Sequence, residues 1–339
     1  MSEQVVLALP FLVAMLLHAF GSRLGAHLHP AAAVRALSGL ALVVALATIV
    51  ELSVAGALVL AQAPWAASLG RWSGRRLRLE SDVPGALGAC AGIVAGVLML
   101  LTLQRALRAG RELRRAAAAG RALGPAAVVV VDDEVPCAYA IAGRVGRVVI
   151  STAMLQVLTP GERRALLAHE CAHLDYHHHA FVQAAELAAV NPLLRRTAAA
   201  VRAAAERSAD EAAVRQVGDR RLVARSLARA ARATAATSSR STVLTATEGA
   251  VPVRVRSLLG PAPRRRLIST GAVVLLTGIC AASAGLSAEE GHDDIEAAEA
   301  AYSLTGAHRD LSRHGGEPAL QAGGNRPAHG EVAVSGRLS

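Results

Sequence analysis

The chain has 339 residues, of which 53% are hydrophobic, 18% charged and only 2% aromatic. Its mean hydropathy is +0.37 and its formal charge is +10, and every basic residue other than histidine is arginine. This composition excludes an intrinsically disordered chain and a disulfide-stapled scaffold, and points to a membrane protein if the apolar residues lie in long runs.

They do. Four runs are predicted to cross a bilayer, at about residues 5–20, 36–62, 85–104 and 267–286. The first is short and holds Pro10; its leader carries Glu3 and no arginine, unlike a signal peptide. The second holds one ionisable residue, Glu51, which is costly there unless it is solvated or bonds a neighbouring helix. Arginines cluster in the first loop (Arg23, Arg35), after the third run (Arg105 to Arg121) and before the fourth (Arg254 to Arg266). The second loop has four, Arg71, Arg75, Arg76 and Arg78. The excess places residues 105–266 in the cytoplasm and both termini outside. Residues 287–339, with nine acidic residues and no hydrophobic period, read as a polar, disordered extracytoplasmic tail. Cys90, Cys137, Cys171 and Cys280 show no C-x-x-C spacing and suggest neither a cysteine zinc site nor a disulfide framework.

Residues 105–266 suffice for one compact core. A basic helix to about Ala122 ends at Gly124-Pro125, and Ala126 to Val131 is β-branched and reads as a strand. Cys137 to Ala142 and Arg147 to Ser151 read as a hairpin. Then Thr159-Pro-Gly-Glu162 forms a capping box with proline at the first helical position. The helix that follows, predicted to reach about His177, contains His169-Glu170-Cys171-Ala172-His173.

Residues i and i+4 share one helix face, so two imidazoles can reach one zinc ion, while Glu170 can flank a water and act as general base in peptide hydrolysis. A catalytic zinc needs a third protein ligand. Two candidates are open. His179 has the spacing of a longer histidine motif, but Tyr176 stands where that motif needs glycine and no methionine follows Met154. Glu206 lies on a later helix beyond Asn191-Pro192, with Asp210 four residues on to hold a ligand imidazole.

His169-Glu170-x-x-His173 followed by Glu206-x-x-x-Asp210 resembles the gluzincin integral-membrane metalloproteases of the BlaR/MecR and HtpX types. The segments from Cys137 to Gly143, Arg147 to Leu155 and Glu162 to Glu170, and Asn191-Pro-Leu-Leu, are similar too. The resemblance implies His169, His173 and Glu206 as zinc ligands, Glu170 as general base, and Asp210 behind the ligands. It also implies that the strand around Val148 to Ser151 is the edge that pairs with an extended substrate. It does not extend to the penicillin-binding sensor domain of the β-lactam receptors, since only the 53-residue tail follows the last run.

The expectation is therefore a mainly α protein: a membrane region over 1–104 with three transmembrane helices, a zincin-like α+β metalloprotease domain over 105–266, a fourth transmembrane helix over 267–286, and a tail. The expected activity is zinc-dependent endoproteolysis with one zinc per chain. The partners are a protein substrate, such as a repressor or a membrane protein, and the lipid bilayer. The arginine-rich helices from Arg195 to Arg232 lack interleaved aromatics, so no nucleic acid is expected. Quality control of membrane proteins, or an adaptor with a structural metal, are the rival roles. His177-His178-His179 reads as a solvated helix end, and Thr234 to Ala250 as a flexible linker open to self-cleavage.

Overall fold

The computed structural model describes residues 3–80, 84–143, 146–238, 250–263 and 267–314. Two long helices come first, α1 (Glu3–His27) and α2 (Pro30–Ala61); α3 (Pro64–Gly70) and α4 (Gly74–Glu80) lead to α5 (Gly85–Ala122). Strands β1 (Val128–Val131), β2 (Ala138–Ile141) and β3 (Arg147–Ser151) follow, then α6 (Thr152–Val157), α7 (Pro160–Asp175) and α8 (His178–Ala188). A 3₁₀ turn at Pro192–Leu194 precedes α9 (Arg195–Val217), α10 (Arg220–Ser238), α11 (Ala250–Leu259) and α12 (Leu267–His314).

Among the described residues, four helices are long and apolar enough to cross a membrane: Ala8–His27, Pro30–Ala61, Gly85–Ala122 and Thr270–Leu304. Along α5, Leu87, Ile93, Val97, Leu100 and Leu103 lie exposed in a row that water would disfavour and hydrocarbon would not. Where α2 meets α5 the backbones come very close: a Cβ on Gly56 would run into the Cα of Gly92. Glu51 is buried on α2 and its Oε1 accepts a hydrogen bond of 3.1 Å from Ser287 Oγ on α12.

The last helix departs from expectation. Structure was expected to stop near Leu286, yet α12 continues to His314. Residues 287–314 contain no proline, and the run Glu296-Ala-Ala-Glu-Ala-Ala consists of strong helix formers. Ala298 is fully buried against Ala61 and Leu77, and its carbonyl accepts from Ser73 N at 3.0 Å. Residues 315–339 lie outside the described residues. So do 239–249, the greater part of the expected linker; Thr234 and its neighbours form the last turn of α10 instead.

The sheet has the order β1-β3-β2, with β1 parallel to β3 and β2 antiparallel to it. This corrects the expectation for Val148 to Ser151. Those residues form the central strand, buried throughout, with both sides hydrogen-bonded, and cannot take up a further chain. The open edge nearest α7 belongs to β2.

The main core joins α1 and α2 to α8 and α9: Leu17, Val34, Leu37, Leu40 and Val44 pack on Ala185, Ala188, Val201 and Ala204. A second cluster sets Ala165 and Ala168 of α7 against Ala213, Val223 and Leu258. A third sets Ile150 and Met154 against Ala230. Thus α7 is clamped between the sheet and the helices α9 and α10.

Candidate functional site

The local sequence dictates where α7 begins. Thr159 Oγ1 accepts from Glu162 N and the Glu162 carboxylate accepts from Thr159 N at 3.0 Å, satisfying two amides that a helix start leaves orphaned. The same carboxylate takes a 2.7 Å ion pair from Arg229, and Ser226 Oγ donates to the Glu162 carbonyl at 2.8 Å. The start of α7 is therefore tied to α10. Burial opposes charge on Glu162, but the Thr159 hydrogen bonds and Arg229 prevail and hold its carboxyl below the ordinary range.

One helical turn apart on the inner face of α7 stand His169 and His173, with their Nε2 atoms 3.2 Å from each other. Helix α9 presents Glu206 to both: Oε2 is 3.6 Å from His169 Nε2 and Oε1 is 3.7 Å from His173 Nε2. A tetrahedral ion with bonds of about 2.0–2.1 Å needs ligand atoms about 3.3 Å apart, so this triangle fits one zinc-sized ion with little adjustment. His179 is exposed and stands outside this group, although it lines the adjoining cavity.

Two side chains lie behind the imidazoles. Asp210, one turn beyond Glu206, lies with Oδ1 3.0 Å from His169 Nδ1 and accepts a hydrogen bond from it. His178, the first residue of α8, has Nδ1 3.2 Å from His173 Nδ1. This corrects the reading of the three histidines as a solvated end: His177 and His179 are exposed, but His178 is 2% exposed.

Sequence reasoning also passed over Arg254, counted there only as a span-flanking arginine. From α11 its Nε and Nη2 form a two-pronged contact with Asp210 (2.9 and 2.6 Å), and Nη1 reaches Glu206 Oε2 at 2.8 Å. Its Nη2 also lies 3.4 Å from His169 Nε2. A lone arginine on a separate helix has no spacing pattern that could have marked it.

The electrostatics follow from these contacts. Burial works against charge on Glu206 and Asp210, yet His169 and Arg254 outweigh it and hold both carboxyls at about 2. Burial also disfavours charge on His169, but Asp210 and Glu206 raise it to about 9. Burial and the neighbouring His169 charge push His173 down to about 4. Glu170 differs: burial lifts it to about 7, against the pull of His169. A carboxyl near neutrality is suited to accept a proton and return it.

Two cavities meet at Glu170 and Glu206. One, of about 650 Å³, is largely apolar, walled by Met154, Leu166, Val223, Leu227 and Val255, with Ala138 of β2 at its rim. The other, of about 330 Å³, is bounded by Ala140, Ala142, His173, His178, His179 and Arg202. The β2 strand thus runs past the site from one cavity to the other.

A His-x-x-x-His helix, a glutamate from a second helix and a second carboxylate beside them define a metallopeptidase-type site on a helical frame. In agreement, residues 103–253 match the model of Peptidase family M48, a span running from within α5 into α11 and enclosing His169, Glu170, His173, His178, Glu206 and Asp210 but not Arg254. The match supports a metallopeptidase of that family, a family typically dependent on zinc. No curated protein and no solved structure matches the chain.

Proposed function

We propose that the protein is an integral-membrane zinc endopeptidase that cleaves a protein substrate at the cytoplasmic membrane surface, in regulatory proteolysis. The observation that supports it best is the triangle of His169, His173 and Glu206 with Glu170 beside it and an open strand edge alongside. His169, His173 and Glu206 would hold the metal. When bound, zinc polarises the scissile carbonyl and acidifies a water at that carbonyl. Glu170 takes the proton of the attacking water and passes it to the leaving amine. A substrate strand docks on the open edge of β2, and the apolar cavity receives one of its apolar side chains. A purely structural ion, as in an adaptor, would have no use for Glu170.

Proximity to the bilayer supports the choice of substrate. Arg207, next to Glu206, donates to the Gly25 carbonyl at 2.7 Å, and Arg196 to that of His18, so α9 lies along the end of the first span. The arginine distribution supports a cytoplasmic position for this end and for the site, with both termini outside. The test compares new protein N-termini in cells carrying the wild type or Glu170→Gln. Termini lost in the variant establish proteolysis and identify the substrate. A repressor among them supports regulation, many damaged membrane proteins point to quality control, and identical termini under envelope stress overturn the reading.

A further inference from the structure

His178 is the most deeply buried residue of the three-histidine run, and the mechanism above gives it no role. On an uninterrupted helix, residues five apart point about 140° away from each other, so His178 would face away from His173. It does not, because the helix breaks. His177 takes φ 52° and ψ 37°, the left-handed region that a residue with a Cβ adopts at a cost. The turn ends α7, starts α8 and returns His178 beneath His173. The two rings meet edge to face, with centroids 5.0 Å apart at 80° and Nδ1 atoms 3.2 Å apart. Tyr176 flanks the His178 ring at 5.8 Å and is braced by Arg215, which donates to its hydroxyl at 3.2 Å.

We propose that His178 is a positioning residue that fixes the tautomer and direction of His173 for metal binding. This rests on the metal-centre reading above. Two nitrogens at hydrogen-bond distance share one proton. With the Nε2 of His173 left bare to bind the ion beside Glu206, its proton sits on Nδ1 and is donated to the bare Nδ1 of a neutral His178. His169 is held in the same way by Asp210, so both ligand imidazoles are gripped from their Nδ1 side. The grips come from different parts of the fold. Asp210 rides on the helix that supplies Glu206, whereas His178 rides on α8, whose Ala185 and Ala188 are buried in the core with α2. The direction of His173 is thereby tied to a helix packed on a membrane span.

The experiment is a zinc titration of the full-length, metal-stripped protein in detergent, in competition with a chromophoric chelator. It uses His178→Phe, His178→Leu and His178→Asn. Asn places an oxygen where Nδ1 stands and restores the acceptor; Phe and Leu fill the space without one. Phe and Leu are expected to weaken zinc affinity by about 10–100-fold, while Asn recovers most of it. All three metal-free proteins are expected to unfold at similar temperatures. Phe and Leu variants that bind zinc like the wild type, or an Asn variant as weak as they are, overturn the role of His178 alone. Wild-type protein that binds no zinc overturns the metal-centre reading together with it.

Discussion

Glu206 lies against two imidazoles and a guanidinium, and these neighbours explain why its half-buried carboxyl stays ionised. Glu170 is on the same rim but, among the described residues, has no arginine at ion-pair distance, and burial dominates it. Two acids lining the same two cavities are thus prepared for different tasks. Glu170→Gln is expected to keep zinc and to lower kcat by a factor on the order of 10² or more. Glu206→Ala is expected to lose zinc, as measured by metal content after dialysis. If Glu206→Ala retains zinc and His179→Ala does not, the third ligand is misassigned. Arg254 neutralises Asp210 within a poorly hydrated site, where the side chains are 13% and 4% exposed. Removing one partner of such a pair strands the other, so Arg254→Met is expected to destabilise the protein by about 3–5 kcal/mol in denaturant unfolding.

At the scale of elements, α7 is where sequence and structure agree most closely. Its start is encoded by Thr159-Pro-Gly-Glu, and the capping box forms as written. Thr159→Ala is expected to cost about 1 kcal/mol in unfolding free energy. Glu162 adds a pH dependence whose sign can be worked out. Its folded carboxyl is held below the ordinary value of 4.5, so the unfolded chain binds the proton more readily. The stability it contributes is complete above pH 4.5 and disappears as pH falls through the lowered folded value. Glu162→Gln should therefore flatten the acid limb of a stability–pH curve, and an unchanged limb would show that other carboxylates govern it. The sheet teaches the opposite lesson. Alternation and turn residues mark three strands but do not order them, and only the pairing β1-β3-β2 shows that β2, not β3, keeps an open edge.

Over the whole molecule, α2 is the organising helix. It packs on α5 through glycines, on α12 through the Glu51–Ser287 contact, and on α8 and α9 through the main core. The helices that carry His178, Glu206 and Asp210 are therefore fastened to the long apolar helices rather than suspended from them. Gly56→Leu is expected to force α2 and α5 apart and to lower stability by about 1–3 kcal/mol, read as a fall in Tm in detergent. Gly39→Leu serves as its control, since nothing lies within 4 Å of a Cβ at Gly39. If the two variants melt alike, the close α2–α5 approach does not hold the fold together.

Elements whose signal is local were determined by the sequence itself: four apolar runs, the capped start of α7, and two pairs of ligand-type residues at i, i+4 spacing on separate helices. Periodicity and capping act over a few residues, so they can be read without knowing what packs where. The tertiary structure alone decided what depends on distant segments meeting. It brought Arg254 to Asp210 across 44 positions and Arg207 to Gly25 across 182. It also turned His178 inward through a left-handed residue that sequence pattern does not favour, and carried α12 past its apolar stretch because Ala298 found a partner surface. Such contacts depend on the packing of the whole chain, and no short window of residues encodes them.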